Sequence, residues 1–164
     1  MPFTTLDLSK QSGTSLPSSI VTASGLSTGK IIQIASTKAT STANLATTSF
    51  ATVCSHSITP SSTSSNVIVL MSGGRWSMYD ADSYEANYQL TKTGGTVLMQ
   101  GLQATRNTGG NTTSGTISIS YLDSPSTTSA VTYFLQAKTT NASKAVNIQD
   151  TNHPISIVLM EVSA

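Results

Sequence analysis

The chain predicts an all-β fold, an antiparallel jelly-roll-like β-sandwich of about nine or ten short strands. Three observations carry this expectation. Residues 58–74, ITPSSTSSNVIVLMSGG, lead from a polar turn into the apolar run Val67–Met71, which is too short for a buried helix and stops at a Gly pair. A second stretch, LDSPSTTSAVTYFLQAK at 122–138, repeats this order of turn and strand, so the two read as equivalent corners of one domain. Finally, 28 Ser and 27 Thr stand against only 15 charged residues. Thr suits a pleated surface and hydroxyls close turns, whereas the straight-chain helix formers are scarce.

In chain order, residues 1–29 scatter Phe3, Leu6, Leu8, Leu16, Ile20, Val21 and Leu26 among Ser, Thr, Gly and Pro with no lasting period. Such a segment cannot build a core, yet it is too apolar for a free tail. It is expected to be an extended arm, docked on a partner or lying on its own domain. Strands begin with KIIQIAS (30–36), and after a Ser/Thr-rich connection comes SFATVCSHSIT (49–59), with Phe50, Cys54, His56 and Ile58 on one parity. The run Val67–Met71 shows no alternation, so neither of its faces is expected to see water.

GGRWSMYDADS (73–83) is the least strand-like stretch and reads as a loop. SYEANYQLTK (83–92) alternates, with Tyr84, Ala86, Tyr88 and Leu90 inward and Glu85, Asn87, Gln89 and Thr91 outward. TGG (93–95) turns it into TVLMQGLQ (96–103), a hairpin. A polar loop at 106–115 precedes TISISYL (116–122), which places Ile117, Ile119 and Tyr121 on one face. AVTYFLQAK, KAVNIQ (144–149) and PISIVLMEV (154–162) complete the set. The domain division that follows is an arm at 1–29 and a sandwich head at 30–164.

A length of 164 residues suits one domain with a real core, without disulfides or metal. The net charge of +1 gives no basic stripe able to displace counterions from phosphates, which argues against nucleic acid as a partner. Low charge also means weak self-repulsion, as suits a subunit that assembles. No apolar run reaches the length of a membrane span, and MPFTTLDLSK lacks the apolar core of a secretion signal, so synthesis in a cytoplasm without membrane insertion is expected.

Candidate chemistry is sparse. Asp80, Asp82 and Glu85 put three carboxylates in six residues, but calcium loops add oxygen ligands at fixed spacing and a turn Gly. Cys54 and His56, at i and i+2, point to one side of a strand, yet two ligands do not hold zinc unless a three-fold axis multiplies them. No GxSxG elbow or SxxK pair supplies a nucleophile with a base. No catalytic residue, metal or cofactor is therefore expected. The one loop with recognition chemistry is Arg75, Trp76, Tyr79, Asp80 and Asp82, where an aromatic face could stack on a sugar ring while polar groups read hydroxyls. Trp76 could instead cap the end of the sandwich or bury at a subunit contact, and burial is the favoured alternative.

TGKIIQIAST (28–37), SITPSSTSSNVIVLMSGG (57–74), YLDSPSTTSAVTYFLQAK (121–138) and ISIVLMEVSA (155–164) resemble, in that order, a module common in tail-fibre and other surface-appendage proteins of tailed bacteriophages, especially aquatic ones. The resemblance spans residues 28–164 and implies a homotrimeric β-sandwich on the virion surface that touches the host. It carries over no catalytic residue. It implies a structural virion protein whose partners are its own copies, other virion proteins (capsid, portal, tail or fibre base) and host surface polysaccharide. Phe3, Leu6, Leu8, Leu16 and Ile20 of the arm would supply the anchoring contacts. The competing roles are a capsid decoration or cement protein and, from another class, a carbohydrate-binding lectin-like module.

Overall fold

The structure, a computed structural model, describes residues 30–78, 84–107, 112–148 and 151–163, with backbone alone for 102–107. The ten described strands are β1 (Ile31–Ala39), β2 (Ala43–Leu45), β3 (Ala51–Ile58), β4 (Asn66–Met78), β5 (Tyr84–Lys92), β6 (Thr96–Asn107), β7 (Thr113–Asp123), β8 (Val131–Thr139), β9 (Val146–Ile148) and β10 (Ile155–Val162). All strand pairs are antiparallel.

One sheet runs β1-β10-β4-β7, and the other runs β3-β8-β5-β6. The long strand β4 pairs β7 along its whole length on one side; on the other it pairs β10 through Gly73 and β9 from Trp76 onward. β1 with β2, and β9 with β10, are thus two interrupted strands lying end to end. Counted so, two four-stranded sheets face each other in the strand order of a jelly roll. The fold class read from the sequence is the one observed, an all-β antiparallel sandwich.

The core lies between the sheets, where the inward parity of each strand meets its opposite number. Val67, Val69, Met71 and Met78 of β4, Ile155, Ile157 and Leu159 of β10, and Leu90, Tyr133 and Leu135 across the gap are fully buried. The alternation of β5 holds, since Tyr84, Ala86, Tyr88 and Leu90 all point inward. Its outward residues do not all reach water. Gln89 and Thr91 are buried, because β5 is central in its sheet and Gln89 Nε2 donates to Gln136 Oε1 of β8 at 2.7 Å.

Four local expectations are corrected. The Gly pair does not end β4: Gly73 (φ 89°) and Gly74 (φ 63°) form a bulge through which the strand continues to Met78, so 73–78 is strand and not loop. Gly74 N donates to Pro154 O at 3.0 Å, and a Cβ on Gly73 would come within 2.7 Å of the same oxygen. In β3 a bulge between Thr52 and Cys54 breaks the parity, placing Cys54 inward and Phe50 on the outer face under Lys138 Nζ, 4.8 Å from the ring centroid. The 106–115 loop is shorter than expected, because β6 runs to Asn107 and β7 starts at Thr113. Lastly, the apolar run of β4 is covered on one side only: Val67, Val69 and Met71 are buried, while Ile68 and Leu70 are half-exposed on the outer face.

Candidate functional site

The β4 bulge sets the orientation of the two described residues of the set singled out for recognition. One residue past Gly74, Arg75 is exposed opposite Thr116, and the next residue, Trp76, turns inward. The indole is 7% exposed and lies over Gly115 of β7, where a Cβ would come within 2.7 Å of Cζ2. Its face is therefore unavailable to a sugar ring: the indole is packed into the chain's own core, and no subunit contact is needed to cover it. Tyr79, Asp80 and Asp82 lie outside the described residues, as do Phe3, Leu6, Leu8, Leu16 and Ile20 of the arm. Glu85 is half-buried in β5 with its backbone paired to Thr140, Thr140 N donating to its carbonyl at 2.9 Å and its own N–H donating to Thr140 Oγ1 at 2.9 Å.

Two clusters of buried polar groups escaped the sequence reading. At one end, Lys92 Nζ donates to both carboxylate oxygens of Asp123 at 2.9 Å, and Tyr133 Oη donates to Oδ2 at 2.9 Å. Burial, together with the hydrogen bond to Asp123 and its charge, raises the Tyr133 phenol above its ordinary range. The cluster ties the end of β7 in one sheet to β5 and β8 in the other. A hollow of about 240 Å³ adjoins it, lined by Lys92, Thr93, Pro125, Thr127, Ser129, Ala130 and Val131. Its lone charged group is engaged with Asp123, and the rest of the lining is Thr and Ser hydroxyls beside the apolar Pro125, Ala130 and Val131.

The second cluster surrounds Glu161, which is fully buried near the end of β10. Its Oε1 accepts from Ser61 N at 2.8 Å and Ser61 Oγ at 2.7 Å, and its Oε2 accepts from Gln33 Nε2 at 2.6 Å. Gln33 Nε2 also donates to Thr59 O at 2.6 Å. Burial alone would raise this carboxyl, but the donors from Ser61, Ser65 and Gln33 outweigh it and lower the pKa to about 2. One carboxylate thereby fastens the 59–65 turn, the corner identified from sequence, to β1 and β10.

Cys54 and His56 do share a face of β3, as their spacing predicts, but the Cys54 thiol is buried and desolvation pushes it up to about 12. Among the described residues no group of three or more His, Cys, Asp or Glu could hold a metal ion. Also among them, no helix is long and apolar enough to cross a membrane.

The two outer faces of the sandwich differ in chemistry. On the β3-β8-β5-β6 sheet, register places Thr52, Gln136, Gln89 and Gln100 side by side, with Asn87 beside Lys138 in the next row. On the β1-β10-β4-β7 sheet the row Ile34, Met160, Ile68, Leu122 crosses all four strands, followed by Ser36, Val158, Leu70, Ser120. The first face is dense in hydrogen-bonding side chains; the second carries an aliphatic centre flanked by serines. Nothing in the alternation of single strands shows this contrast, because it needs the register.

No family model matches the chain, and no curated protein matches it by sequence. Similar solved structures come from infectious bursal disease virus. A chain of its T13 viral particle gives a TM-score of 0.41 at 10% identity, covering 82% of this chain and 38% of that one. The Gx strain structure gives 0.36 at 13% identity, covering 79% and 40%, and the VP2 subviral particle gives 0.35 at 14%, covering 80% and 37%. This chain spans about two fifths of the length of those chains. The fold rests on the strand order itself rather than on so distant a likeness.

Proposed function

We propose that the chain is a structural subunit of a virus particle: a homotrimeric surface appendage of a tailed bacteriophage, held by residues 1–29 and presenting its jelly-roll head to host surface polysaccharide. The observation that carries this reading is the seam at the start of the head. β1 pairs with β10 from Ile31↔Val162 to Ala39↔Ile155, and Ser163 N donates to Lys30 O at 2.9 Å. The head is therefore closed at the point from which residues 1–29 depart, so a pull on the arm is resisted by a complete strand pair. The resemblance of residues 28–164 to appendage modules supports the virion setting, and jelly rolls serve as viral coat and lectin domains. With Trp76 withdrawn into the sandwich, polysaccharide contact falls to Arg75 and residues 79–83.

The test is attachment. A chain lacking residues 1–29 is expected to keep its β spectrum and its number of copies per assembly yet no longer join particles. Joining at the level of the full chain overturns the anchoring role. Particles that lack the protein, adsorb normally and burst on heating would transfer the reading to capsid decoration.

A further inference from the structure

The outer face of the β1-β10-β4-β7 sheet carries six aliphatic side chains in two adjacent rows: Ile34, Met160, Ile68 and Leu122 in one, Val158 and Leu70 in the next. Ile34 is 61% and Leu122 59% exposed, and the four between them are half-buried. Ser36, Ser72, Ser120, Ser156 and Asn66 rim the patch, and the first ionisable side chain along the face is Lys38, in the row beyond. Lone exposed apolar residues are ordinary, but a contiguous apolar patch inside a polar rim marks a contact surface.

We infer that this face is the contact between copies of the chain, the faces of the protomers converging on the axis of the homotrimer. The inference rests on the homotrimeric reading above and deepens it by naming the surface. Charge favours a second copy over a charged partner. The patch offers no ion for a charged partner to pair with, while a copy of itself meets the same neutral aliphatics without repulsion. A net charge of +1 on the whole chain adds no long-range barrier.

Size fits as well. Four strands at about 4.8 Å spacing and nine residues at about 3.4 Å make a flat face on the order of 600 Å², of which the two aliphatic rows fill roughly 260 Å² and the polar rows the rest. A standard interface takes about 800 Å² from each partner, with an apolar centre and a polar rim, which is the pattern seen here. Three faces converging on one axis each touch both of the others, and the closed ring leaves none to propagate a filament.

The test is the mass of the full chain in solution together with thiol labelling. The native chain is expected to sediment as a trimer at micromolar concentration, and the double variant I34K/L122K as a monomer with an unchanged β spectrum, since both positions are exposed in the protomer. Should that variant fail to fold, Leu122→Cys decides. Cys54 is buried and stays silent, so labelling by a maleimide is expected at least tenfold slower at Leu122→Cys than at Thr52→Cys on the opposite outer face. A native monomer overturns the homotrimer and this inference together. A native trimer that survives I34K/L122K, or equal labelling at the two cysteines, overturns the face and leaves the homotrimer standing. Protection that disappears on removing residues 1–29 while the mass stays trimeric means that the arm covers the face, and it too overturns the inference.

Discussion

Gly115 of β7 lies beneath the Trp76 indole so closely that a Cβ would stand 2.7 Å from Cζ2, 2.8 Å from Cε2 and 2.9 Å from Nε1. A rigid ring carried by β4 and lying over β7 cannot give way at three atoms at once. Gly115→Ala is therefore expected to destabilise the fold by about 1–3 kcal/mol through overpacking, read as a lower urea midpoint at constant slope. Trp76 is the only tryptophan in the chain, so its fluorescence reports the same site. Blue-shifted emission in the native chain and a red shift in the variant are expected; emission like that of free indole in the native chain would contradict the burial.

Two buried tyrosines make opposite predictions. Tyr133 Oη donates to Asp123, whereas Tyr88 Oη is buried with no partner among the described residues. Tyr133→Phe leaves a buried carboxylate one donor short and is expected to cost about 1–3 kcal/mol. Tyr88→Phe removes a hydroxyl that gains nothing from burial and is expected to be neutral or stabilising. Equal losses in thermal unfolding of the two variants would contradict the assignment.

Glu161 ties stability to pH. Its folded pKa is depressed from an ordinary 4.5 to about 2, so the protonated form is disfavoured in the fold. The resulting stabilisation is fully present above pH 4.5 and is lost as pH falls toward 2. Glu161→Gln, which turns an amide N–H toward the Ser61 or Gln33 donors, is expected to lower the urea midpoint at pH 6 and to narrow its deficit against the native chain at pH 2.5. A deficit of constant size across that range would show that the carboxylate charge is not what holds the 59–65 turn.

The bulge at Gly73 offers a backbone test. Its φ of 89° and the Pro154 oxygen 2.7 Å from a would-be Cβ combine strain with a clash. At Gly95 the φ is 78° but nothing lies within 4 Å of the added carbon. Both alanine variants bear the left-handed cost of about 1–2 kcal/mol, and only Gly73→Ala adds the collision. A larger loss at Gly73 is therefore expected in urea unfolding, and equal losses would mean that the bulge yields freely.

How far the sequence speaks depends on whether a feature is local. The alternation of Tyr84, Ala86, Tyr88 and Leu90 and the turn-to-strand corners at 58–74 and 122–138 depend on near neighbours, and they are found where expected. Features set by a partner strand are not legible in this way. Gly73–Gly74 reads as a terminator until Pro154 and Thr116 are seen to accept a bulge there, and that bulge decides which way Trp76 turns. Gln89 reads as a surface residue until β5 proves central. Ile68 and Leu70 read as core, and what they reveal instead is a bare outer face. Of the proposed recognition residues, Arg75 alone stands exposed among those described.

The most direct measurement is image averaging of particles that carry the protein, by electron microscopy. A three-fold knob of about three 17.0 kDa chains on the particle surface, gone from particles assembled with a chain that lacks residues 1–29, is the expected result. Density for a single copy buried within the shell, or a knob that persists without those residues, would contradict the account.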